Sequence, residues 1–263
     1  DEGQPVLNED TSEALLRCAA DGVHRYGGKL LLQLSHSGIK AMERVNGIPP
    51  KHPEDFTLLE LDALVDAFVL AAKRCQNCGM DGVQIHTAHG YLLSNFLNPV
   101  ENLRTDEYGG DLENRYRLIA RILSAVREAC GSGFAVLVKA DCNGCGDLPT
   151  LLRLYARSGV DGIEVSGTEF NCRAGQRSPF YLDELLRARG TLSTPLILVG
   201  GIFSRQTAED ILRHGIRLVS FSRALICEPD FAAKLKSGVQ EESRCRACNA
   251  CYTIYRSRFV RCV

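Results

Sequence analysis

Two histidines and a tyrosine lie within one short segment of the chain, His-Thr-Ala-His-Gly-Tyr at 86–91. Imidazoles at His86 and His89 that leave the same strand end can both donate to one small acceptor, such as a carbonyl oxygen. Tyr91 adds a phenol with an ordinary pKa of about 10, which can serve as a positioned proton donor. The alternative interpretation is one structural histidine in a loop, with Tyr91 as a packing residue. A metal site would need a third ligand, which the sequence does not reveal.

A second group of reactive side chains consists of four of the twelve cysteines, which crowd into the C-terminal end. They are Cys245, Cys248, Cys251 and Cys262, spaced C-x2-C-x2-C-x10-C. Four thiolates at such spacings predict a 4Fe–4S cluster or a zinc ion. The alternative is a reduced tail without metal.

The remaining cysteines do not resemble the framework of a secreted disulfide protein. Most lie in apolar segments, where buried thiols behave as small hydrophobic side chains. A chain of 263 residues can build its own core without disulfides, so we expect a reducing compartment and a cytoplasmic location. Cys142 and Cys145 form a further C-x2-C pair, which we interpret as an ordinary loop rather than a redox or metal site.

Short apolar segments alternate with helical patterns along the chain. The predicted strands are 29–34, 82–86, 134–139, 162–165, 195–199 and 218–221. The predicted helices are 11–26, 56–78, 112–130, 149–158, 182–189, 207–214 and 231–236. Strands that are apolar on both faces and joined by helices form a parallel sheet. Because no G-x-G-x-x-G follows the first strand, the pattern favours a (β/α) barrel over a Rossmann fold.

Polar residues gather at the ends of the predicted strands and immediately after them. In a (β/α) barrel these positions share one face, where active sites are built. The residues are Gln33, His36, His86, His89, Lys139, Ser166, Gly200, Gly201, Ser222 and Arg223. The sequence therefore predicts one site at that face of the sheet.

The amino-acid composition and net charge of the chain indicate which kinds of binding partner to expect. The formal net charge is −1, with 45% apolar and 24% charged residues, as in ordinary soluble proteins. This near-neutral balance argues against nucleic-acid or membrane-surface binding, which requires a basic excess. No apolar run approaches the roughly 18 residues of a membrane span, so no membrane association is predicted. The expected partner is a small-molecule substrate.

Longer motifs surround the histidine pair and the other strand ends. Segments 86–99, HTAHGYLLSNFLNP, and 102–115, NLRTDEYGGDLENR, form one long signature between the end of the second predicted strand and the helix that follows it. Three shorter motifs keep the same order along the chain: QLSHSG at 33–38, LVGGI at 198–202 and SRALI at 222–226. Together they resemble the old yellow enzyme family, the NADH:flavin oxidoreductases, over nearly the whole chain.

The resemblance implies an FMN-binding TIM barrel of the (β/α)8 type that reduces activated alkenes. It would transfer hydride from NAD(P)H through the flavin to the C=C bond of an α,β-unsaturated carbonyl or enoyl thioester. By position, His86 and His89 would hold the substrate carbonyl oxygen and stabilise the enolate-like charge that develops on it. Tyr91 would protonate the α-carbon.

The resemblance also implies a set of FMN contacts. Gln33 would pair with the flavin pyrimidine edge, and Lys139, where many members have arginine, would face flavin N1 and O2. The phosphate would be held by the two turns after the seventh and eighth family strands. Their residues are Gly200, Gly201, Ser222 and Arg223, with Ser222 standing where glycine is usual.

The cysteine tail is similar to the 4Fe–4S segment of the 2,4-dienoyl-CoA reductase branch. That branch spaces its ligands C-x2-C-x3-C-x11-C, so both later gaps are one residue shorter in this chain. The resemblance therefore implies a metal at Cys245, Cys248, Cys251 and Cys262 with altered spacing.

The family's first two strands have no counterpart in this sequence, so we expect six of eight strand-helix units, strands 3–8. The predicted organisation is an N-terminally incomplete FMN-binding barrel at 1–240 and a Cys-rich tail at 241–263. A homo-oligomer or a partner segment would complete the sheet, and the chain alone is expected to bind FMN weakly. The alternative function is a non-catalytic or truncated barrel that has lost tight flavin binding.

Overall fold

The protein is built on one parallel sheet of six strands. The computed structural model describes residues 6–8, 10–254 and 261–262. The strands are β1 (Leu31–Leu34), β2 (Gly82–Thr87), β3 (Ala135–Asp141), β4 (Gly162–Ser166), β5 (Leu196–Val199) and β6 (Leu218–Ser220). Their spatial order follows the chain from β1 to β6, which confirms all six predicted strands. Within the described residues the sheet is not closed, and β1 and β6 form its edges.

Helices connect the strands, as the parallel order requires. Those before β3 are α1 (Glu13–His24), α2 (Glu43–Asn46), α3 (Leu58–Asn77), α4 (Leu92–Leu97) and α5 (Leu112–Cys130). The later ones are α6 (Leu148–Arg157), α7 (Leu182–Ala188), α8 (Arg205–Arg213), α9 (Arg223–Cys227), α10 (Phe231–Ser237) and α11 (Cys251–Ile254). The seven predicted helices are confirmed. The sequence did not predict α2, α4, α9 and α11, because helices of four to six residues show too little periodicity.

The hydrophobic core lies between the sheet and the long helices α3 and α5, which pack against each other. Side chains that alternate along the strands, such as Val83 and Ile85 on β2, are fully buried in it. Leu61 on α3 and Ile119 on α5 complete this layer. None of the described helices is long and apolar enough to cross a membrane.

The opposite face of the sheet encloses an open cavity to which all six strands contribute. Its lining residues are Leu31, Gln33, Gln84, Leu137, Glu164, Ile197, Leu218, Val219 and Ser220. Because residues of both edge strands line the same cavity, the sheet curls around this face, as a partial barrel does.

The beginning of the tail packs against the barrel units. Ser204 and Glu242 form an isolated antiparallel bridge, and the Ser243 backbone N–H donates to the Phe203 carbonyl at 2.7 Å. A small second apolar cluster joins them, made of Phe203, Ala224, Phe231, Cys245 and Ala247. The division into a barrel at 1–240 and a tail at 241–263 stays a prediction, and 255–260 and 263 lie outside the described residues.

Candidate active site

The carboxyl end of β2 brings the two histidines and the tyrosine together. The ring centroids of His86 and His89 are 5.1 Å apart, and those of His86 and Tyr91 are 5.2 Å apart. His86 lies within β2, His89 in the loop that follows, and Tyr91 directly before α4. One strand end and one helix start therefore position all three rings.

Both imidazoles are held in the neutral form. Burial lowers the pKa of His86 to about 3, with further lowering by His89 and by the charges of Lys139 and Lys40. Burial and the same two lysines lower the pKa of His89 to about 4. A neutral imidazole carries one N–H donor and one acceptor nitrogen, so this pair is suited to an uncharged oxygen.

The ends of β3 and β4 hold His89. Its Nε2 lies 2.8 Å from Ser166 Oγ and 3.8 Å from Asp141 Oδ1, and its backbone N–H donates to Asp141 Oδ2 at 2.5 Å. Burial raises the pKa of the Asp141 carboxyl to about 6, against the opposing effect of the His89 N–H. Asp141 is not among the residues that the sequence predicted for this site, although its position two residues after Lys139 at a strand end was a usable signal.

A row of polar side chains crosses the cavity face from β1 to β4. Gln33 donates to Gln84 at 2.6 Å, and Gln84 donates to Glu164 at 2.7 Å. The Lys139 ammonium lies 3.3 Å from the same Glu164 carboxylate. The structure thus connects Gln33 with Lys139 through Gln84 and Glu164, two mid-strand residues that the sequence did not predict for the site.

The turn after β5 requires its two glycines. Gly200 and Gly201 have φ of 104° and 76°, which residues with side chains rarely adopt. A Cβ on Gly201 would lie 1.7 Å from the Ser178 carbonyl oxygen. Close packing against that neighbouring segment is therefore one reason for glycine here, and the approach of these amides to a phosphate stays a prediction.

The turn after β6 contacts the tail. Ser222 Oγ lies 3.1 Å from the Tyr252 hydroxyl, and Arg223 donates to the Asn249 side chain at 2.5 Å and the Ala247 carbonyl at 3.3 Å. The buried guanidinium also lies over three aromatic rings, with 5.1 Å to the centroid of Phe203. Arg223 therefore links this turn to the tail, and its role toward a phosphate stays a prediction.

The tail cysteines share a cavity but show no metal-ligand arrangement. Cys245, Cys248, Cys251 and Cys262 line it together with Cys227 and Arg223. Across residues 6–8, 10–254 and 261–262, no group of three or more His, Cys, Asp or Glu side chains is placed to hold a metal ion. The predicted iron–sulfur or zinc centre therefore finds no support here.

The C-x2-C pair after β3 has the character of an ordinary loop. Burial raises the pKa of Cys142 to about 12 and also raises that of Cys145. Both thiols stay protonated at neutral pH, whereas a redox-active pair needs a thiolate.

Comparison with known proteins shows which family this chain resembles in sequence. The model of the NADH:flavin oxidoreductase / NADH oxidase family matches residues 1–141. An NADPH dehydrogenase of Geobacillus sp. is 34% identical over 81% of this chain and 68% of its own length. An NADH oxidase of Thermoanaerobacter brockii is 28% identical over 92% of this chain, which spans 42% of that relative.

A solved structure shows the same fold. The old yellow enzyme homologue from Zymomonas mobilis superposes with a TM-score of 0.75 at 24% identity, over 91% of this chain and 75% of that one. The six strands follow one another as consecutive strand-helix units of a (β/α) barrel. The chain therefore belongs to the NADH:flavin oxidoreductase / NADH oxidase family.

Proposed function

We propose that this chain carries the active site of an FMN-dependent ene-reductase. The reaction would transfer hydride from NAD(P)H to the C=C bond of an α,β-unsaturated carbonyl or enoyl thioester. The observation that carries the proposal is the group of two neutral imidazoles and a phenol, with ring centroids 5.1 and 5.2 Å apart, at the carboxyl end of β2.

The histidines would act on the substrate carbonyl. An N–H from His86 and one from His89 would converge on the oxygen and stabilise the enolate-like charge as hydride reaches the β-carbon. His86 Nδ1 is buried and has no hydrogen-bond partner among the described residues. Tyr91 would donate its phenolic proton to the α-carbon, which completes the addition of two hydrogens.

The polar row and the glycine turn fit an FMN site. Bound FMN would supply the two-electron chemistry that connects NAD(P)H with the alkene. Lys139 is the register partner of His86 on the neighbouring strand, and Glu164 and Gln84 connect its ammonium with the Gln33 amide. We assign Gln33 and Lys139 to the flavin ring and Gly200, Gly201, Ser222 and Arg223 to the phosphate.

Stepwise spectroscopy tests this function. The purified chain is mixed with FMN without oxygen, then with NADH or NADPH, and finally with 2-cyclohexenone, while the flavin absorbance is recorded. We expect NAD(P)H to bleach the flavin and the enone to restore its colour. Failure of FMN to bind even when it is in excess, or failure of the bound FMN to bleach, would favour the alternative, a barrel that has lost tight flavin binding.

A further inference from the structure

The loop that joins β2 to α4, and that contains His89, has an energetically unfavourable backbone conformation. His89 has φ of 64° and Gly90 has φ of 72°, so a residue with a side chain occupies the left-handed region. The left-handed conformation costs free energy for such a residue, and it persists only where contacts with the surrounding structure offset that cost. The ring of His89 and the start of α4 at Tyr91 both depend on this turn.

Two oppositely charged side chains hold the His89 peptide groups from either side. Asp141 Oδ2 accepts the hydrogen bond from the His89 N–H at 2.5 Å. Lys40 Nζ donates to the His89 carbonyl oxygen at 2.5 Å and lies 5.0 Å from the centroid of the Tyr91 ring. Both are charge-assisted hydrogen bonds, which are stronger than neutral ones.

The two residues reach the turn from different elements. Asp141 is the last residue of β3 and is buried, with its second carboxylate oxygen free of hydrogen-bond partners among the described residues. Lys40 is exposed and follows β1 in the 3-10 turn Gly38–Lys40. Its side chain runs along the turn, because a Cβ on Gly90 would lie 3.2 Å from Lys40 Cε.

We propose that Lys40 and Asp141 are positioning residues that clamp His89 in the left-handed conformation and thereby orient the His89 ring and Tyr91 for substrate. This inference rests on the proposed function for its catalytic consequence. The clamp itself is a property of the chain without cofactor or substrate. It therefore has a test of its own.

Paired variants separate the clamp from general stability. Lys40→Met removes the ammonium and Asp141→Ala removes the acceptor, whereas Lys40→Arg and Asp141→Asn each keep a group able to make the same hydrogen bond. Lys29→Met and Asp147→Ala are matched controls, because Lys29 pairs with Asp81 and Asp147 caps α6, away from the turn. Lys40 is exposed, so its variants should fold even if an Asp141 variant does not.

The first measurement is hydrogen exchange at the His89 amide in the chain as purified. We expect exchange to accelerate about tenfold or more in Lys40→Met and Asp141→Ala, and to stay within about threefold of wild type in Lys40→Arg and Asp141→Asn. Unchanged exchange in Lys40→Met and Asp141→Ala would overturn the clamp. The clamp would also be overturned if exchange at the His89 amide accelerated as much in Lys40→Arg and Asp141→Asn as in Lys40→Met and Asp141→Ala.

The second measurement is enone reduction by the FMN-loaded chain. We expect kcat to fall about tenfold or more in Lys40→Met, with the rate of flavin bleaching by NAD(P)H unchanged. A kcat equal to that of wild type in Lys40→Met would show that the clamp does not contribute to catalysis. If wild-type chain reduces no enone at all, the proposed function fails, while the exchange result still decides the clamp.

Discussion

At the scale of single residues, Tyr91 separates the two halves of the proposed reaction. Tyr91→Phe keeps the ring beside His86 and removes the phenolic hydroxyl, which carries the proton to be donated. We expect enone reduction to slow by about 10²–10⁴-fold, because a positioned proton donor contributes that much, while NAD(P)H still bleaches the flavin. Stopped-flow absorbance of each half-reaction measures this difference.

Tyr116→Phe is the matched control for the loss of a phenol. Its hydroxyl contacts Ser158 Oγ at 2.7 Å within the helical layer, away from the strand ends. This control should leave both half-reactions unchanged. An equal loss in both half-reactions of Tyr91→Phe would contradict the proton-donor role.

The neutral histidines also predict how stability depends on pH. The pKa values of His86 and His89 are about 3 and about 4 in the folded protein, below the unfolded value of about 6.5, so the unfolded chain takes up protons first as pH falls. Asp141 has a raised folded pKa of about 6, so its protonation in the folded state offsets part of this loss. We expect these three groups to lower the free energy of unfolding by about 2–3 kcal/mol between pH 7 and pH 5.

Urea unfolding at both pH values measures this effect. Asp141→Asn removes the offsetting group, so its loss between pH 7 and pH 5 should exceed that of wild type by about 1 kcal/mol. Comparing the change with pH, rather than the absolute stability, removes the cost of the substitution itself. Equal stability at both pH values would show that the imidazoles are not held neutral.

At the scale of elements, the start of α3 has a complete capping box. The Thr57 side chain accepts from the Glu60 N–H, and the Glu60 carboxylate accepts from the Thr57 N–H at 2.9 Å. Thr57→Ala should lower the free energy of unfolding by about 1 kcal/mol, because it exposes an unpaired donor at the first turn. Thr57→Ser keeps the hydroxyl and is the control. Equal stability of the two variants in urea would contradict this role.

At the scale of the whole molecule, the buried Glu228 joins the tail to the barrel units. Its carboxylate accepts from the Ser243 hydroxyl at 2.8 Å, the Arg244 N–H at 2.6 Å and the Gln240 amide at 2.9 Å. Glu228→Ala leaves these donors without their common acceptor. We expect amide exchange in 240–245 to accelerate about tenfold or more, while β2 to β4 stay protected.

Glu228→Gln is the matched variant, since it keeps the shape and one acceptor oxygen and should give an intermediate rate. Exchange mass spectrometry of peptides from 240–245 and from the central strands distinguishes local release from global unfolding. Faster exchange everywhere would mean that Glu228 stabilises the whole fold rather than the attachment of the tail.

Local sequence patterns predicted the strands, but only some of the residues and helices around the site. Apolar strands such as β5, whose four residues are all aliphatic, were predictable because their composition alone identifies them in a parallel sheet. The short α4 was not, although it positions Tyr91, because its six residues are all buried and show no amphipathic face. Of the polar row, Gln33 and Lys139 were predicted. Gln84 and Glu164 were not, because they lie in mid-strand, where sequence position does not indicate function.

The sequence by itself determined the order and type of the main elements, the family, and the spacing of His86, His89 and Tyr91, because each is a local pattern. Only the tertiary structure decided what surrounds those rings. Lys40 reaches His89 across 49 positions and Ser166 across 77, and such contacts depend on how strand ends meet at one edge of the sheet. The same holds for Arg223, whose guanidinium donates to Asn249 across 26 positions, because the local sequence does not show which distant residue a buried charge will contact.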